Sequence, residues 1–513
     1  MTDIAFLKEL QTPNVYPHKC GDIRMVETHI SWVLLTGVFA YKLKKPVNFG
    51  FLDFSTLEKR HYYCNEECRC NAVFAPEIYC GVVAVTIDAN GRIEVGGNGE
   101  IVEYAVKMHQ FDDANQLDHL LERDQLQGQS LRNFATDLAS IYRRLPNPII
   151  DSVAETADRI LARTRENFDT LESLSCTESY SATLRRLEHW SVQLHQRLSG
   201  QFEERIRDGW IRERHGDLHL SNLVKTEQGV RAFDCIEFSA DLRCIDAIDD
   251  IAFLVMDLAV RERADLAYDF IDSYLEATGD YSGACLLRYY AVYRSLVRAK
   301  VAALQLSQTF TLEGSARLAA HIEWANRVAT SVTGRITLMC GPSGSGKSWL
   351  AERLVPHMSA IRLRSDIVRK QLAGLEISQA SGSTLDGGIY TTERSDAVYT
   401  RLLELTEALT TRGENVIVDA TFLSSQWRSR FRALAASNHS DCVVTVCEAA
   451  PDILERRVVA RYNAGGDPSE ATPDVLRRQL ETLEPLGLDE RMIRVCTSED
   501  VDIRAVVAQL NSA

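Results

Sequence analysis

A glycine-rich loop constrains the fold of this 513-residue chain more than any other feature of its sequence. The loop reads GPSGSGKS from Gly341 to Ser348 and matches the pattern G-x-x-x-x-G-K-[ST] at every fixed position. An apolar run at 335–340 precedes it, and a helical pattern at 348–354 follows it. A chance glycine-rich turn would not explain the strand and the helix on its two sides. From about residue 334, strand and helix patterns alternate to the end of the chain, which predicts a parallel α/β sheet.

The same loop has the chemistry of a phosphate-binding site. Glycines let backbone N–H groups turn inward around phosphate oxygens, and the positive end of the following helix faces the same anion. We expect Lys347 to reach the β and γ phosphates of ATP and Ser348 to hold Mg²⁺. The residues expected to bind the nucleotide are Gly341, Pro342, Ser343, Gly344, Ser345, Gly346, Lys347 and Ser348.

Two further strand-like runs, at 361–364 and 415–418, are followed by carboxylates. Ligands bind at strand ends in sheets of this kind. Asp366 is a candidate general base that accepts the proton of an acceptor hydroxyl. Alternatively, Asp366 caps the helical pattern that begins at Ile367. Asp419 is suited to bind Mg²⁺ or its water shell.

Two arginines on a later helical pattern are candidates for catalysis. Arg457 and Arg461 are four residues apart and therefore share one face of a helix. Arginines in this arrangement are suited to clamp a phosphate during its transfer. The alternative interpretation is a solvated, charged helix face.

The region from about 334 to 511 resembles the P-loop small-molecule kinases of the zeta-toxin, polynucleotide-kinase and gluconate-kinase type. The shared features are the glycine-rich loop, Arg364-Ser365-Asp366 with Arg369, Asp419-Ala420-Thr421, and the two arginines followed by Asp467. The resemblance implies that Asp366 activates an acceptor hydroxyl and that Arg457 and Arg461 contact the ATP phosphates. It also implies a flexible lid at Gly465-Gly466-Asp467.

A second set of candidate residues lies in the N-terminal part of the chain, in the sequence HGDLHLSN from His215 to Asn222. An aspartate five residues before an asparagine, followed by a strand, is typical of a kinase catalytic loop. In such a loop Asp217 accepts the hydroxyl proton and Asn222 binds Mg²⁺. Asp234 follows across a short hairpin that turns at 226–229, so it is predicted to reach the same metal ion, with Glu237 as a competing candidate.

Two other interpretations of this loop remain open. His215 and His219 have the spacing of zinc ligands on a helix, although Gly216 and the following strand disfavour a helix. The segment is alternatively a plain loop whose polar groups are satisfied by hydrogen bonds.

A kinase site also needs a lysine for the phosphates and a glutamate that holds the lysine. Lys42 follows an apolar strand run, and Glu67 lies on the next helical pattern, so we expect these two residues to pair. The alternative is a solvated cluster of Lys42, Lys44 and Lys45.

Residues 25–300 resemble the aminoglycoside-phosphotransferase and choline-kinase-like branch of the protein-kinase fold, of which His-Gly-Asp is a mark. The resemblance implies that Asp217 is the catalytic base, that Asn222 and Asp234 bind Mg²⁺, and that Asp250 braces the catalytic loop. One feature departs from the pattern: no G-x-G-x-x-G loop precedes Lys42.

Composition and charge narrow the class of protein. The 72 acidic and 57 basic residues give a net charge of −15, which argues against non-specific binding of nucleic acid. No segment approaches the roughly 20 apolar residues of a membrane-spanning helix. The N-terminal sequence MTDIAFLKELQTP carries charges where a signal peptide is apolar, so we expect a cytoplasmic protein. The 13 scattered cysteines do not resemble a disulfide framework, and Cys64, Cys68 and Cys70 are interpreted as residues of a packed helix.

Together these features predict a multidomain protein of the α/β and α+β classes. We expect a bilobal, protein-kinase-like domain at 1–330, with a small lobe at about 1–110 and a helical large lobe at about 111–330, and a P-loop kinase domain at 331–513. The predicted function is an ATP- and Mg²⁺-dependent phosphotransferase with two nucleotide sites. Its acceptor is predicted to be a hydroxyl of a small molecule, a sugar or a nucleotide. The alternative is a P-loop NTPase or kinase regulated by a degenerate, ligand-binding N-terminal domain.

Overall fold

The computed structural model describes residues 4–50, 52–331, 334–377, 379, 391–464, 469 and 471–512. The chain forms two compact units. The first unit comprises residues 1–156 and 203–254, and the second comprises 157–202 and 255–513. These units do not follow the division expected at residue 330, which stays a prediction. No helix in the described part of the chain is both long enough and apolar enough to cross a membrane.

The first unit contains an antiparallel sheet of six strands in the order β1-β2-β3-β6-β4-β5. The strands are β1 Arg24–Glu27, β2 Ser31–Leu35, β3 Phe39–Lys44, β4 Tyr79–Ile87, β5 Ile93–Val95 and β6 Glu100–His109. Helix α1 (Ile4–Glu9) precedes this sheet, and helix α2 (Leu57–Asn71) packs on it through buried residues that include Cys64. The cysteines of α2 therefore serve packing, as the sequence predicts, and every described cysteine is a free thiol.

Shorter elements follow the sheet and carry the catalytic-loop sequence. The helices are α3 Leu117–Glu122, α4 Gly128–Arg144, α5 Val153–Glu172, α6 Ser181–Arg207, α7 Ala240–Arg243 and α8 Ala247–Val260. The strands are β7 Ile211–Glu213, β8 Leu223–Thr226, β9 Gly229–Ala232 and β10 Cys244–Asp246. Strands β8 and β9 form the predicted hairpin, in which Thr226 is opposite Gly229. The hairpin brings the chain on either side of it together, because Phe233 N–H donates to the Asn222 carbonyl oxygen at 3.0 Å.

The second unit contains the parallel sheet that the alternating pattern predicts. Its five strands have the order β12-β13-β11-β14-β15 and all their pairings are parallel. The strands are β11 Ile336–Cys340, β12 Ala360–Arg364, β13 Asn415–Asp419, β14 Cys442–Glu448 and β15 Met492–Cys496. Strand β11 is buried along its whole length, as expected for the centre of a sheet covered on both faces.

The helices from residue 264 onward belong to the same compact unit as this sheet. They are α9 Ala264–Thr278, α10 Tyr281–Ala284, α11 Leu287–Gln308, α12 Leu312–Thr330, α13 Lys347–Met358, α14 Ser365–Leu372, α15 Thr392–Thr410, α16 Ser425–Ser437, α17 Pro451–Ala464, α18 Pro473–Thr482 and α19 Ile503–Ser512. Leu350 and Leu354 of α13 are fully buried in a core that also contains Ile417 of β13 and Val443 of β14.

The sheet brings three polar segments to one edge, because the carboxyl ends of parallel strands point the same way. The glycine-rich loop follows β11, Arg364 ends β12, and Asp419 ends β13. Arg364 and Asp419 are paired in register on neighbouring strands. This edge of the sheet therefore gathers the loop, Arg364 and Asp419.

Candidate functional site

Glycine is required in the phosphate loop by its backbone and by close packing. Gly341, Gly344 and Gly346 have φ values of +142°, +82° and +81°, which side chains other than glycine rarely adopt. A Cβ atom on Gly344 would lie 2.6 Å from the Leu454 carbonyl oxygen, and one on Gly341 would lie 2.6 Å from the Cys447 carbonyl oxygen. The loop thus holds a conformation in which its backbone can surround an anion.

Lys347 is the first residue of α13 and its side chain is buried. Its Nζ donates to the Pro342 carbonyl oxygen at 2.7 Å and lies 3.5 Å from Ser345 Oγ. Burial lowers the pKa of Lys347, while the nearby charge of Asp419 acts in the opposite direction. The ammonium group therefore sits among oxygen acceptors of its own loop, where a phosphate would supply full charge compensation.

A cavity of about 440 Å³ opens beside the loop. Six of the residues that the sequence predicts for catalysis, nucleotide binding or metal binding line this cavity. They are Ser343, Lys347, Ser348, Asp366, Asp419 and Arg461. Arg369 of α14 lines it as well.

Asp419 has a carboxylate oxygen that suits a cation. The residue is 4% exposed, and its Oδ2 has no hydrogen-bond partner within the described ranges. The nearest cations approach this oxygen without bonding to it, since Arg364 Nε is 3.8 Å away and Arg362 Nη1 is 4.0 Å away. A buried carboxylate oxygen without a hydrogen-bond partner among the described residues, in a cavity that Ser348 also lines, fits the oxygen chemistry that Mg²⁺ prefers.

No cluster of three or more His, Cys, Asp or Glu residues that could hold a metal is present among the residues that the structure describes. Mg²⁺ does not need such a cluster, because it is usually bound by one or two carboxylates together with substrate phosphates and water. The residues that would hold it in this cavity are Ser348 and Asp419.

Asp366 does not cap its helix. The residue before α14 is Arg364, which makes no side-chain capping bond, and Asp366 is the second residue of the helix. The capping interpretation is therefore wrong. Asp366 is half-buried and lines the cavity, where its carboxylate is available to a bound molecule.

The structure separates the two arginines that the sequence groups together. Arg457 donates to the Gly344 carbonyl oxygen at 3.2 Å and to the Thr497 carbonyl oxygen at 2.6 Å, so its guanidinium braces the outside of the loop. Arg457 is not among the described residues that line the cavity, and its contact with the transferring phosphate stays a prediction. Arg461 does line it, and its Nε and Nη2 are buried with no hydrogen-bond partner in the described part of the chain. The lid expected at Gly465-Gly466-Asp467 lies outside the described residues.

A second constellation lies in the first unit. Lys42 Nζ is 2.9 Å from Glu67 Oε1, so the predicted pair is present, and Lys42 also forms an ion pair with Asp234. Glu67 Oε2 is 2.7 Å from Lys44 Nζ, and Lys44 forms an ion pair with Glu237. Lys42 is 9% exposed and Lys44 is fully buried, which excludes the solvated lysine cluster for both residues.

The charges in this chain of ion pairs stabilise one another. Burial alone would raise the pKa of Glu67, but the ammonium groups of Lys42 and Lys44 outweigh it and bring the pKa down to about 2. Burial raises the pKa of Glu237, although Lys44 opposes the shift. The carboxylates of Glu67, Asp234 and Glu237 share the two lysines, because Asp234 also pairs with Lys42. The excess negative charge is compatible with a bound cation.

The catalytic-loop sequence is held by Asp250, as the resemblance implies. The buried Asp250 carboxylate accepts the backbone N–H of His215 and of Gly216, each at 2.9 Å, and also the hydroxyl of Tyr142. His215 Nε2 lies 2.9 Å from the Phe233 carbonyl oxygen, and His215 Nδ1 accepts the Asp217 N–H at 3.4 Å. Because both ring nitrogens of His215 are engaged, the zinc interpretation is wrong.

Asp217, Asn222 and Asp234 are brought together by this loop and the hairpin. Asn222 Nδ2 donates to Asp217 Oδ2 at 3.0 Å. Asp234 has a φ of +61°, and its N–H donates to the hydroxyl of Tyr79 at 3.0 Å. The Asp234 side chain is 45% exposed, whereas Glu237 is buried against Lys44, so Asp234 is the more accessible of the two candidate metal ligands.

Sequence reasoning missed several residues that support these sites. Lys44 and Glu237, which the sequence suggested only as a solvated lysine and a candidate metal ligand, extend the Lys42–Glu67 pair through buried ion pairs. The signal for Lys44 is strand alternation, which places Lys42 and Lys44 on one face of β3. Asp272 and Glu276 of α9 bind Arg362 and Arg364 of β12. No local pattern could have identified that contact, because about 90 residues separate the partners.

The chain is similar to one protein-family model and, over most of its length, to curated bacterial proteins. A family model described as an AAA domain matches residues 336–486, a range that includes the phosphate loop, Asp366 and Asp419. An uncharacterized protein of Mycobacterium tuberculosis is 33% identical over 455 residues, which cover 88% of each chain. An uncharacterized protein of Mycobacterium bovis matches with the same identity and coverage.

Solved structures also match parts of the chain. A gluconokinase from Sinorhizobium meliloti matches 35% of this chain and 89% of its own length, at 21% identity and a TM-score of 0.25. An ethanolamine kinase from Plasmodium vivax matches 58% of this chain and 81% of its own length, at 12% identity and a TM-score of 0.35.

Proposed function

This chain belongs to the same family as the mycobacterial proteins described above, and we propose that it is an ATP- and Mg²⁺-dependent phosphotransferase. One observation carries the proposal. A single cavity beside the phosphate loop gathers a lysine, an accessible carboxylate, and two further groups with atoms that lack a hydrogen-bond partner among the described residues: an arginine with two such nitrogens and a carboxylate with one such oxygen. These residues are Lys347, Asp366, Arg461 and Asp419.

Each of these residues has a role in the proposed reaction. Lys347 and Arg461 neutralise the negative charge of the phosphates, which is the main contribution a protein makes to phosphoryl transfer. Ser348 and Asp419 would hold Mg²⁺, which when bound supplies further positive charge at the phosphate oxygens. Asp366 takes the proton of the acceptor hydroxyl, whose oxygen then bonds to the γ-phosphorus as the bridging bond to ADP breaks.

The remaining wall of the cavity supports a small, polar acceptor. Ser395, Asp396 and Ser424 line it and offer hydroxyl and carboxylate groups. Trp427 closes this side, since its Nε1 donates to Asp396 Oδ1 at 3.2 Å and its ring stacks on Tyr399 with 5.1 Å between ring centres. Polar groups on a rigid wall suit the hydroxyls of a small molecule, a sugar or a nucleotide.

A second phosphotransferase site in the first unit is also proposed. The contacts that join Lys42 to Glu67 and Asn222 to Asp217 support it, as does the buried Asp250 that holds the loop. In this site Asp217 is the base, and Asn222 and Asp234 would hold Mg²⁺. The alternative is a degenerate unit that binds a ligand and regulates the second unit. The absence of glycine from the turn between β1 and β2, at 28–30, favours that alternative.

The two possibilities are separated by transfer of radiolabelled γ-phosphate from ATP into a soluble metabolite extract. The wild type is compared with Lys347→Ala, with Asp217→Ala and with Lys225→Ala, a control that removes an exposed lysine of β8. We expect a labelled product that Lys347→Ala abolishes and Lys225→Ala leaves unchanged. A second product that only Asp217→Ala abolishes would establish two active sites.

Other results would contradict the proposal. Steady hydrolysis of ATP that requires Lys347 but labels no product would replace the phosphotransferase with a nucleotide-hydrolysing switch. A labelled product that survives Lys347→Ala and disappears with Asp217→Ala would assign the transfer to the first unit alone.

A further inference from the structure

Two acidic residues of α9 bind two arginines of the P-loop sheet. Asp272 and Glu276 are four residues apart, and both lie on the face of α9 that meets β12. Asp272 accepts a bidentate pair of bonds from Arg362, with Nε–Oδ1 at 3.0 Å and Nη2–Oδ2 at 2.8 Å. Glu276 accepts from Arg362 Nη2 at 2.5 Å and forms an ion pair with Arg364.

These bonds hold both guanidinium groups beyond hydrogen-bond distance of Asp419, although each remains at ion-pair distance from its carboxylate. Arg364 is the residue in register with Asp419 on the neighbouring strand, so without other partners the two side chains would pair directly. Instead Arg364 Nε stays 3.8 Å and Arg362 Nη1 stays 4.0 Å from Asp419 Oδ2. That oxygen consequently has no hydrogen-bond partner in the part of the chain that the structure describes, although it is buried.

We propose that Asp272 and Glu276 are positioning residues that hold Arg362 and Arg364 off Asp419, so that its carboxylate stays free for a divalent cation. This inference rests on the proposed function of the P-loop cavity. Neither residue is among those that line the cavity. Both act through the arginines, and both precede the range 336–486 that the family model matches. The P-loop site of this chain is therefore completed by a helix outside that range.

Burial makes the arrangement sensitive to the loss of one carboxylate. Arg362 and Arg364 are 3% and 6% exposed, so neither guanidinium can turn to water if its partner is removed. Loss of one buried partner is strongly unfavourable, and the Asp419 carboxylate already lies within 4.0 Å of both guanidinium groups. Loss of Glu276 would thus strengthen the interaction of Arg364 with Asp419, where it competes with the cation.

Further contacts fix the acidic helix and the segment after it to the sheet. The Tyr268 hydroxyl donates to Glu414 Oε2 at 3.0 Å, and Arg364 N–H donates to the Tyr281 hydroxyl at 3.2 Å. Gln371 Nε2 donates to the Gly279 carbonyl oxygen at 2.7 Å. Because the helix is held at several points, removal of one carboxylate is expected to change the site before it releases the helix.

The test is a calorimetric titration of the full-length protein with ATP at a series of Mg²⁺ concentrations. We expect Glu276→Gln and Asp272→Asn to raise the Mg²⁺ concentration needed for half-maximal binding by about 10- to 100-fold, the range found when groups that orient metal ligands are removed. Binding of ATP without Mg²⁺ should not weaken. The control is Asp265→Asn on the same helix, because Asp265 is partly exposed and pairs with Arg263.

A double variant distinguishes positioning from folding. In Glu276→Gln/Arg364→Gln the competing arginine is gone, so the Mg²⁺ requirement should return toward that of the wild type even if the melting temperature stays low. Unchanged Mg²⁺ dependence in both single variants, or a double variant no better than Glu276→Gln, would overturn the inference while leaving the proposed function intact. A wild type that binds no ATP would overturn the proposed function and the inference together.

Discussion

The carboxylate of Glu67 binds two lysines at once, with Oε1 2.9 Å from Lys42 Nζ and Oε2 2.7 Å from Lys44 Nζ. All three side chains are buried, so the pairs are not screened by water. Lys42 also contacts Asp234, and Lys44 contacts Glu237. This one residue of α2 therefore links the sheet to both carboxylates that follow the β8–β9 hairpin.

Removal of Glu67 should be strongly destabilising, because it leaves two buried ammonium groups with incomplete compensation. We expect Glu67→Ala to lower the free energy of unfolding of the full-length protein by about 3–5 kcal/mol, the range for breaking a buried ion pair. This free energy is measured by urea denaturation, with unfolding monitored by circular dichroism. Glu58→Ala, an exposed position on the same helix, is the control and should change much less. Similar losses in the two variants would contradict this account of Glu67.

The lowered pKa of Glu67 makes part of this stability dependent on pH. Its folded pKa of about 2 lies below the ordinary value of 4.5, so the stabilisation is complete above about pH 4.5 and disappears as the pH falls through about 2. The difference in unfolding free energy between the wild type and Glu67→Gln should therefore shrink across that range. Urea denaturation at pH 6, 4 and 3 tests this. A difference that stays constant would show that Glu67 titrates normally in the folded protein.

Replacement of Arg457 should lower stability, whereas replacement of Arg461 should lower activity. Arg457→Ala removes bonds to the Gly344 and Thr497 carbonyl oxygens and should lower the melting temperature. Arg461→Ala removes a guanidinium of which two nitrogens have no hydrogen-bond partner within the described ranges. It should reduce kcat by about 100-fold or more with little change in melting temperature. Thermal unfolding and initial rates, measured on the same samples, separate the two effects. The reverse assignment would contradict the placement of Arg457 outside the cavity.

Gly344→Ala should abolish nucleotide binding. The substitution combines an unfavourable φ of +82° with a Cβ atom 2.6 Å from the Leu454 carbonyl oxygen. Gly374→Ala is a matched control, since its φ is +67° but a Cβ there meets nothing within 4 Å. Titration with ATP should show normal affinity for the control and none for Gly344→Ala. Retained affinity in Gly344→Ala would mean that the loop can relax around the new methyl group.

The sequence predicted best the residues whose positions follow from local periodicity. Lys42 on β3 and Asp419 at the end of β13 are placed by strand patterns, and the phosphate loop is placed by its glycines. The contact between Lys42 and Glu67 was also predicted, because a lysine on a strand and a glutamate on the next helix recur in sites of this kind.

Local patterns could not resolve which helical turn reaches a cavity. Arg457 and Arg461 share a helix face, yet only Arg461 lines the cavity, because Arg457 meets the back of the phosphate loop one turn earlier. The pairing of Glu276 with Arg364 depends on how α9 packs against β12, and no periodicity within either element encodes that contact. Helices α9 to α12 precede residue 331 but belong to the same compact unit as the parallel sheet.

The central claim is that the P-loop cavity transfers the γ-phosphate of ATP to an acceptor hydroxyl with Asp366 as the base. The most direct measurement compares the wild type with Asp366→Asn for ATP binding and for transfer of labelled γ-phosphate into a metabolite extract. The account predicts unchanged ATP affinity and at least a 100-fold loss of the labelled product, within the range for removal of a general base. Full transfer activity in Asp366→Asn, with normal ATP binding, would contradict it.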